Sequence, residues 1–255
     1  MKTIYEKRFI KDIPVITCRR NDGTVKPLVI MSHGFTGRKE MFRDGGYMEE
    51  LAEMGYYAVA IDNRLHGERP GPSFEMTAIR SFGKVDVIVV RKAIKETADD
   101  VKLLTDEFSS NKEIDAGRIA VTGISMGGFM TYRAMVIDDR IKVGIPFISS
   151  PYWNDIPGDT PIVDDEDAKR ELEKYAVEYQ PAMCPGRFGN RPLLIQVGDI
   201  DKHYDTNKVI AFCEEIKNQY KDCPERLKLI IYPETRHEFK KEMWVQAVGW
   251  LRMYL

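Results

Sequence analysis

The sequence predicts an α/β fold, a mostly parallel central sheet flanked by helices, with a small inserted cap. Three observations predict it. Short, predominantly apolar runs at 27–32, 57–61 and 192–197 lack the in/out alternation of a half-wet strand, as strands buried on both faces do. Segments of helical period lie between such runs, and that alternation implies parallel strands joined by crossover helices. Turn-rich loops at 33–37, 62–72, 123–128, 198–206 and 233–238 follow the strands, where open α/β sheets build their sites.

Taken in order, 4–9 and 13–18 read as two strands, and Asn21-Asp-Gly23 closes them with a turn. The run at 27–32 ends in His33-Gly-Phe-Thr-Gly37. A helix over 48–54 stops at Gly55, and the strand at 57–61 leads into the turn formers of 62–72. From 85 to 108, Val89, Ala93, Ile94, Val101, Leu104 and Phe108 share one helical face. Asp115-Ala-Gly117 breaks that helix. A strand at 118–121 enters the loop 123–128, a helix covers 127–137, and 141–148 is again a strand. Residues 151–190 interrupt the alternation with a charged helix around 164–179, and they read as a cap within a single domain, 1–255. Strands at 192–197 and 227–232 and helices at 207–220 and 243–253 complete the chain.

Composition narrows the function. With 255 residues and 43% hydrophobic content the chain can bury one substantial core. A net charge of −2 and a pI near 6.2 give no electrostatic reason to bind nucleic acid or an anionic membrane. The first residues lack the apolar core of a secretory signal, and no run is long enough to span a bilayer. Cys18, Cys184, Cys213 and Cys223 show no ligand-like spacing, so reduced thiols, a cytoplasmic location and no metal are expected.

Val121-Thr-Gly-Ile-Ser-Met-Gly-Gly128 carries the chemistry. Small residues on either side of Ser125 let a strand turn sharply into a helix and push the hydroxyl onto the tip of the turn. A serine is a poor nucleophile without a base, and four histidines are available. His33 shapes its own glycine-rich loop, His66 lies among turn formers, and His203 has no strand-end acid between itself and the serine. His237, directly after the last strand, is the base. The acid comes from the loop after 192–197. Asp201 is placed to point back at the serine loop, leaving Asp199 to bond its own backbone within the turn. Two amides would hold the oxyanion, Met126 after the nucleophile and Phe35 in the His-Gly-Phe loop. Tyr152, Trp153 and Phe188 of the cap, with His66 and Arg69, are candidates for the pocket wall, or else hold cap and loop in place.

With these residues together, the chain resembles the α/β-hydrolases. The likeness rests on Leu28–Gly37 with its His-Gly-Phe-Thr-Gly, on Ala60–Arg69 with its Asp-Asn-Arg-Leu-His-Gly-Glu-Arg, on Gly123–Gly128, on Pro192–Asp201 and on Arg236–Phe239. The chain order Ser125, Asp201, His237 is that of the nucleophile-elbow enzymes. More narrowly it is similar to the prolyl-oligopeptidase-like and dienelactone-hydrolase-like bacterial carboxylesterases. That resemblance implies an eight-stranded sheet, ester hydrolysis through an acyl-serine and no cofactor. Serine at 125 departs from the cysteine of the dienelactone hydrolases proper, and this length leaves no room for the propeller of the true oligopeptidases. The expected substrate is a small or medium acyl, or aryl, ester, and a homodimer is allowed. A thioesterase or acyltransferase would use the same residues, and a ligand-binding protein could retain the scaffold.

Overall fold

The computed structural model describes residues 2–73, 77–78, 85–158, 170 and 174–255. Eight strands form one sheet in the order β1-β2-β4-β3-β5-β6-β7-β8: β1 Thr3–Ile10, β2 Ile13–Arg20, β3 Lys26–Ser32, β4 Tyr57–Ile61, β5 Ile114–Ile124, β6 Ile141–Phe147, β7 Leu193–Gly198 and β8 Leu227–Tyr232. β1 and β2 pair antiparallel, β2 meets β4 antiparallel, and every later pairing is parallel. The strands read as continuously apolar are covered on both sides: every residue of β3, β4 and β7 is buried. The mostly parallel sheet expected from the sequence is therefore present.

Chain direction across the sheet reverses at β3, which has β4 on one flank and β5 on the other. A crevice opens at the carboxyl end of a sheet where the strand order reverses, and the loops after β3 and β5 meet there. The helices are α1 Glu40–Asp44, α2 Tyr47–Glu53, α3 Val87–Ser109, α4 Met126–Ile137, α5 Thr206–Ile216 and α6 Lys241–Tyr254. α4 is apolar all round because it is enclosed all round, by β3, β5 and β6 on one side and by α3 and the turn Pro185–Phe188 on the other.

Element ends differ from the sequence reading for identifiable reasons. Asp86 caps α3 by accepting from the amides of Ile88 and Val89, and Asp205 caps α5 through Asn207. The short helix α1 carries only one buried residue, Phe42, so it has no periodic apolar face to betray it. Asp115-Ala-Gly117 is not a break before β5 but a bulge within it. Pro27 pairs with Asp115 and Leu28 with Ile119, so residues 116–118 are looped out of the ladder. The helix expected around 164–179 falls largely outside the described residues, apart from a wide π-type turn at Lys174–Glu178. The described part of 151–190 also holds single turns at Trp153–Asp155, Pro181–Met183 and Pro185–Phe188.

Candidate active site

The loop between β5 and α4 is shaped by steric necessity. A β-carbon on Gly123 would lie 2.2 Å from the carbonyl oxygen of Gly127, and one on Gly127 would lie 2.2 Å from that of Ser32. Gly128 is equally crowded, by the Ser149 hydroxyl at 2.2 Å. Only glycine allows β3, β5 and the first turn of α4 to approach so closely. The residue between them bears the strain: Ser125 has φ 54° and ψ −114°, a conformation costly for any residue with a β-carbon. Ser125 is pinned there because its amide donates to Phe147 and its carbonyl accepts from Phe129.

Ser125 Oγ lies 2.7 Å from His237 Nε2, and His237 Nδ1 lies 2.6 Å from Asp201 Oδ2. These three side chains come from the loops after β5, β7 and β8. Burial of the Asp201 side chain would raise its pKa, but bonds from His237, from the His203 amide and from the Tyr204 hydroxyl outweigh it. The carboxyl is held below its ordinary value. An ionised carboxylate can only accept, so His237 donates from Nδ1 and presents the lone pair of Nε2 to the serine.

Asp199 stands elsewhere. As expected, its carboxylate is bonded by backbone amides of its own turn, those of Asp199 and Ile200, and it also accepts from the Thr235 amide at 3.0 Å across the neighbouring loop. The Ile200 amide donates to the Thr235 carbonyl at 3.2 Å, and a β-carbon on Gly198 would meet that carbonyl oxygen at 2.2 Å. Asp199 thus ties the two loops that carry Asp201 and His237 to each other.

The loop after β3 lies against the serine turn. Gly34, Phe35 and Met126 line one cavity with Ser125 and His237. Met126 is the first residue of α4, a position with no acceptor inside its own helix. The loop is braced from behind by residues 62–69. His33 accepts from the Asn63 amide and donates to the Gly34 carbonyl, the Asn63 side chain bonds both the His33 carbonyl and the Ser32 hydroxyl, and Thr36 donates to His66. Burial pushes the His33 pKa down to about 4. Fully buried Lys39 adds a second brace, its amide and ammonium both bonded to Asp62.

The cavity in front of the serine has a volume of about 500 Å³. Among the described residues its wall is apolar apart from Ser125, His203 and His237. Val90 and Ile94 come from α3, Ile124 and Phe129 from the two sides of the serine turn, and Ile148 and Phe239 from strand-end loops. Ile156 and Pro157 close it from the segment after β6.

Several expected wall residues are not on that wall, and packing explains each. Trp153 is fully buried; its carbonyl accepts from Arg91 and its amide donates to Gln180, anchoring the segment to α3. Tyr152 turns its ring edge to Phe212, and Phe188 packs on Tyr132 and Phe212. His66 is buried behind Phe35 with both ring nitrogens engaged by backbone, and Arg69 bonds the backbone of Asp62 and Asp12. The wall residues missed in the sequence include Val90 and Ile94, one helical turn apart, and Phe239, two positions past His237. An i, i+4 apolar pair on a strongly amphipathic helix was the available signal, but it reads equally as core. His203 was also missed. It stacks on His237 with ring centroids 3.8 Å apart, and its Nδ1 lies 3.2 Å from Asp201 Oδ1. Asp201, His203 and His237 are the one grouping of metal-type donors among the described residues. Both carboxylate oxygens already accept from ring nitrogens, and near-parallel rings do not converge on a common point, so the set suits proton handling better than coordination.

A hydroxyl strained onto the tip of a strand–helix turn, at the carboxyl edge of this sheet, defines the class: the chain is a serine hydrolase of the α/β-hydrolase fold. Residues 46–248 match the prolyl oligopeptidase family, and the chain belongs to it. It is 29% identical over 265 residues to "Putative esterase YitV" of Bacillus subtilis (strain 168), covering 98% of both chains. It is 22% identical over 258 residues to the human acylamino-acid-releasing enzyme, covering 92% of this chain and 32% of that one. Among solved structures it is similar to TT1662 from Thermus thermophilus, with a TM-score of 0.76 at 21% identity over 99% of this chain and 98% of the other. No helix among the described residues is long and apolar enough to cross a membrane.

Proposed function

We propose that the protein hydrolyses carboxylic esters with small to medium, uncharged acyl groups. The observation that carries this reading is the series Ser125 Oγ, His237 Nε2 and Nδ1, Asp201 Oδ2, with links of 2.7 and 2.6 Å, at the mouth of an apolar cavity. Ser125 attacks the ester carbonyl carbon as His237 takes the hydroxyl proton, and Asp201 stabilises the resulting imidazolium. The carbonyl oxygen becomes an oxyanion facing the amides of Phe35 and Met126. Collapse of that intermediate breaks the bond to the alcohol oxygen, which leaves with the proton from His237. Water then attacks the acyl carbon as His237 accepts its proton, the bond to Ser125 Oγ breaks with Oγ taking that proton back, and the acid is released.

The cavity favours the ester over the peptide reading suggested by the human relative. Among the described residues its wall offers no ionic group outside the loops of Ser125, Asp201 and His237 to hold the charged end of a peptide, while Val90, Ile94, Ile124 and Phe129 suit an alkyl or aryl acyl chain. The segment carrying Ile156 and Pro157 acts as the lid of that pocket.

A fluorophosphonate probe and a series of p-nitrophenyl esters from acetate to decanoate test the assignment. The probe should label Ser125, and turnover should peak at short to middle chain lengths. Ser125→Ala should abolish labelling and lower turnover by at least about a thousandfold. Unchanged ester turnover in that variant would refute the mechanism.

A further inference from the structure

The imidazole of His203 has no part in the sequence above, yet it touches two of its members. Its Nδ1 lies 3.2 Å from Asp201 Oδ1 and its amide 2.8 Å from the same oxygen, while His237 holds the other carboxylate oxygen. The two rings are stacked 27° from parallel with centroids 3.8 Å apart. The His203 side chain is 52% exposed, so its ring exchanges protons with bulk water, whereas that of His237 is 20% exposed. Tyr204 of the same loop bonds the carboxylate as well. Among the described residues, the neighbours Phe35, Phe239, Ile156 and Pro157 that line the cavity with the two rings do not titrate. The acid–base pair therefore meets one further ionisable imidazole, on its solvent side.

We propose that His203 is a positioning residue that shares Asp201 with His237 and sets how readily His237 holds a proton. The inference rests on the reading of Asp201 and His237 as the acid–base pair. Two cations one ring-thickness apart repel, and a carboxylate that bonds two imidazoles stabilises each less than it would one alone. Once His203 is protonated, the imidazolium at His237 is disfavoured, and His237 stays unprotonated, hence competent as a base, to lower pH. Removing the His203 imidazole leaves His237 as the one imidazole on Asp201, beside the residue-203 amide and the Tyr204 hydroxyl, and the proton on His237 is held more tightly.

The test is a pair of pH titrations on the full-length wild type, on His203→Phe, which keeps the stack without charge, and on His203→Gln, which keeps an amide donor without charge. Ring NMR signals of His237 are followed directly, and kcat/KM for a p-nitrophenyl ester is measured alongside. Both variants should move the His237 midpoint and the acid limb of kcat/KM upward, by about half to one pH unit. A midpoint and acid limb that coincide with wild type in both variants would overturn the proposal, even if KM rises. A shifted NMR midpoint in protein that turns over no ester would sustain the proton coupling and reject only the esterase reading.

Discussion

Ser125 reaches His237 at 2.7 Å from a backbone held at φ 54°, so the contact of its hydroxyl and the strain at its own α-carbon belong to one turn. Such conformations cost of order 1–3 kcal/mol for a residue with a β-carbon, and tightly packed surroundings maintain them. Here those surroundings are Gly123, Gly127 and Gly128, each with backbone or side-chain atoms where a methyl group would go.

Comparison of two inactive variants isolates that strain. Ser125→Ala and Ser125→Gly both lose the hydroxyl, and only the second frees the backbone. Glycine is normally the less stabilising of the two because the unfolded chain gains entropy. At position 125 the order should invert, with the glycine variant more stable than the alanine variant by about 1 kcal/mol. Urea denaturation measures it; an alanine variant equal or superior in stability would mean that the turn is unstrained.

The two aspartates after β7 separate by role. Asp201→Asn retains the shape but cannot fix the His237 tautomer, so kcat should fall by about ten-thousandfold with little change in KM. Asp199→Asn keeps an acceptor for the Thr235 amide but loses the charge and the second oxygen that the surrounding backbone amides share. It should leave kcat within roughly tenfold of wild type, because it loosens the loop that carries His237 without touching the ring. Steady-state kinetics on one ester decides it. A larger loss at 199 than at 201 would reverse the assignment.

The fold was legible because parallel strands must be apolar on both faces, and β3, β4 and β7 are. The pairing of Ser125 with His237 was legible because one serine lay between glycines at a strand end and one histidine followed the last strand. Asp201 could be favoured over Asp199 only by counting positions after Gly198, whose crowding against Thr235 sets the direction of the turn. The cavity wall was not legible. Val90 and Ile94 look like core residues in sequence, and Trp153 looks like a pocket aromatic. Which face of α3 meets an empty cavity and which meets a packed segment depends on where 151–158 folds back. His203 escaped notice for a related reason: stacking on a residue 34 positions away leaves no local pattern.

Acid stability should report on His33. Its pKa is lowered to about 4 by burial, against about 6.5 for an unfolded histidine. The sign follows from the depressed folded value. The neutral ring is present in both states above pH 6.5, and the contribution is lost as pH falls from there toward 4, where the unfolded chain binds the proton first. The full loss is at most about 3 kcal/mol. In urea titrations, wild type should lose stability relative to His33→Gln between pH 6.5 and 4, since glutamine can bond Gly34 and Asn63 without titrating. A constant difference across that range would place the acid sensitivity in another group.

The cavity wall yields the sharpest statement about substrate. Ile94 and Val90 face the space in front of Ser125 from α3, beyond the reach of the catalytic loops. Ile94→Phe would fill part of that space while keeping an apolar wall and the helix. If the acyl chain occupies it, the variant should retain p-nitrophenyl acetate turnover within about threefold and lose hexanoate turnover by about tenfold or more, since a pocket discriminates each methylene by roughly 1–3 kcal/mol. The loss should fall on kcat/KM for the longer esters and leave fluorophosphonate labelling of Ser125 intact. If instead the alcohol occupies the cavity, chain length in the acyl group will not matter. The variant will then discriminate among acetates of different alcohols, and the acyl and leaving-group sides of the site exchange places.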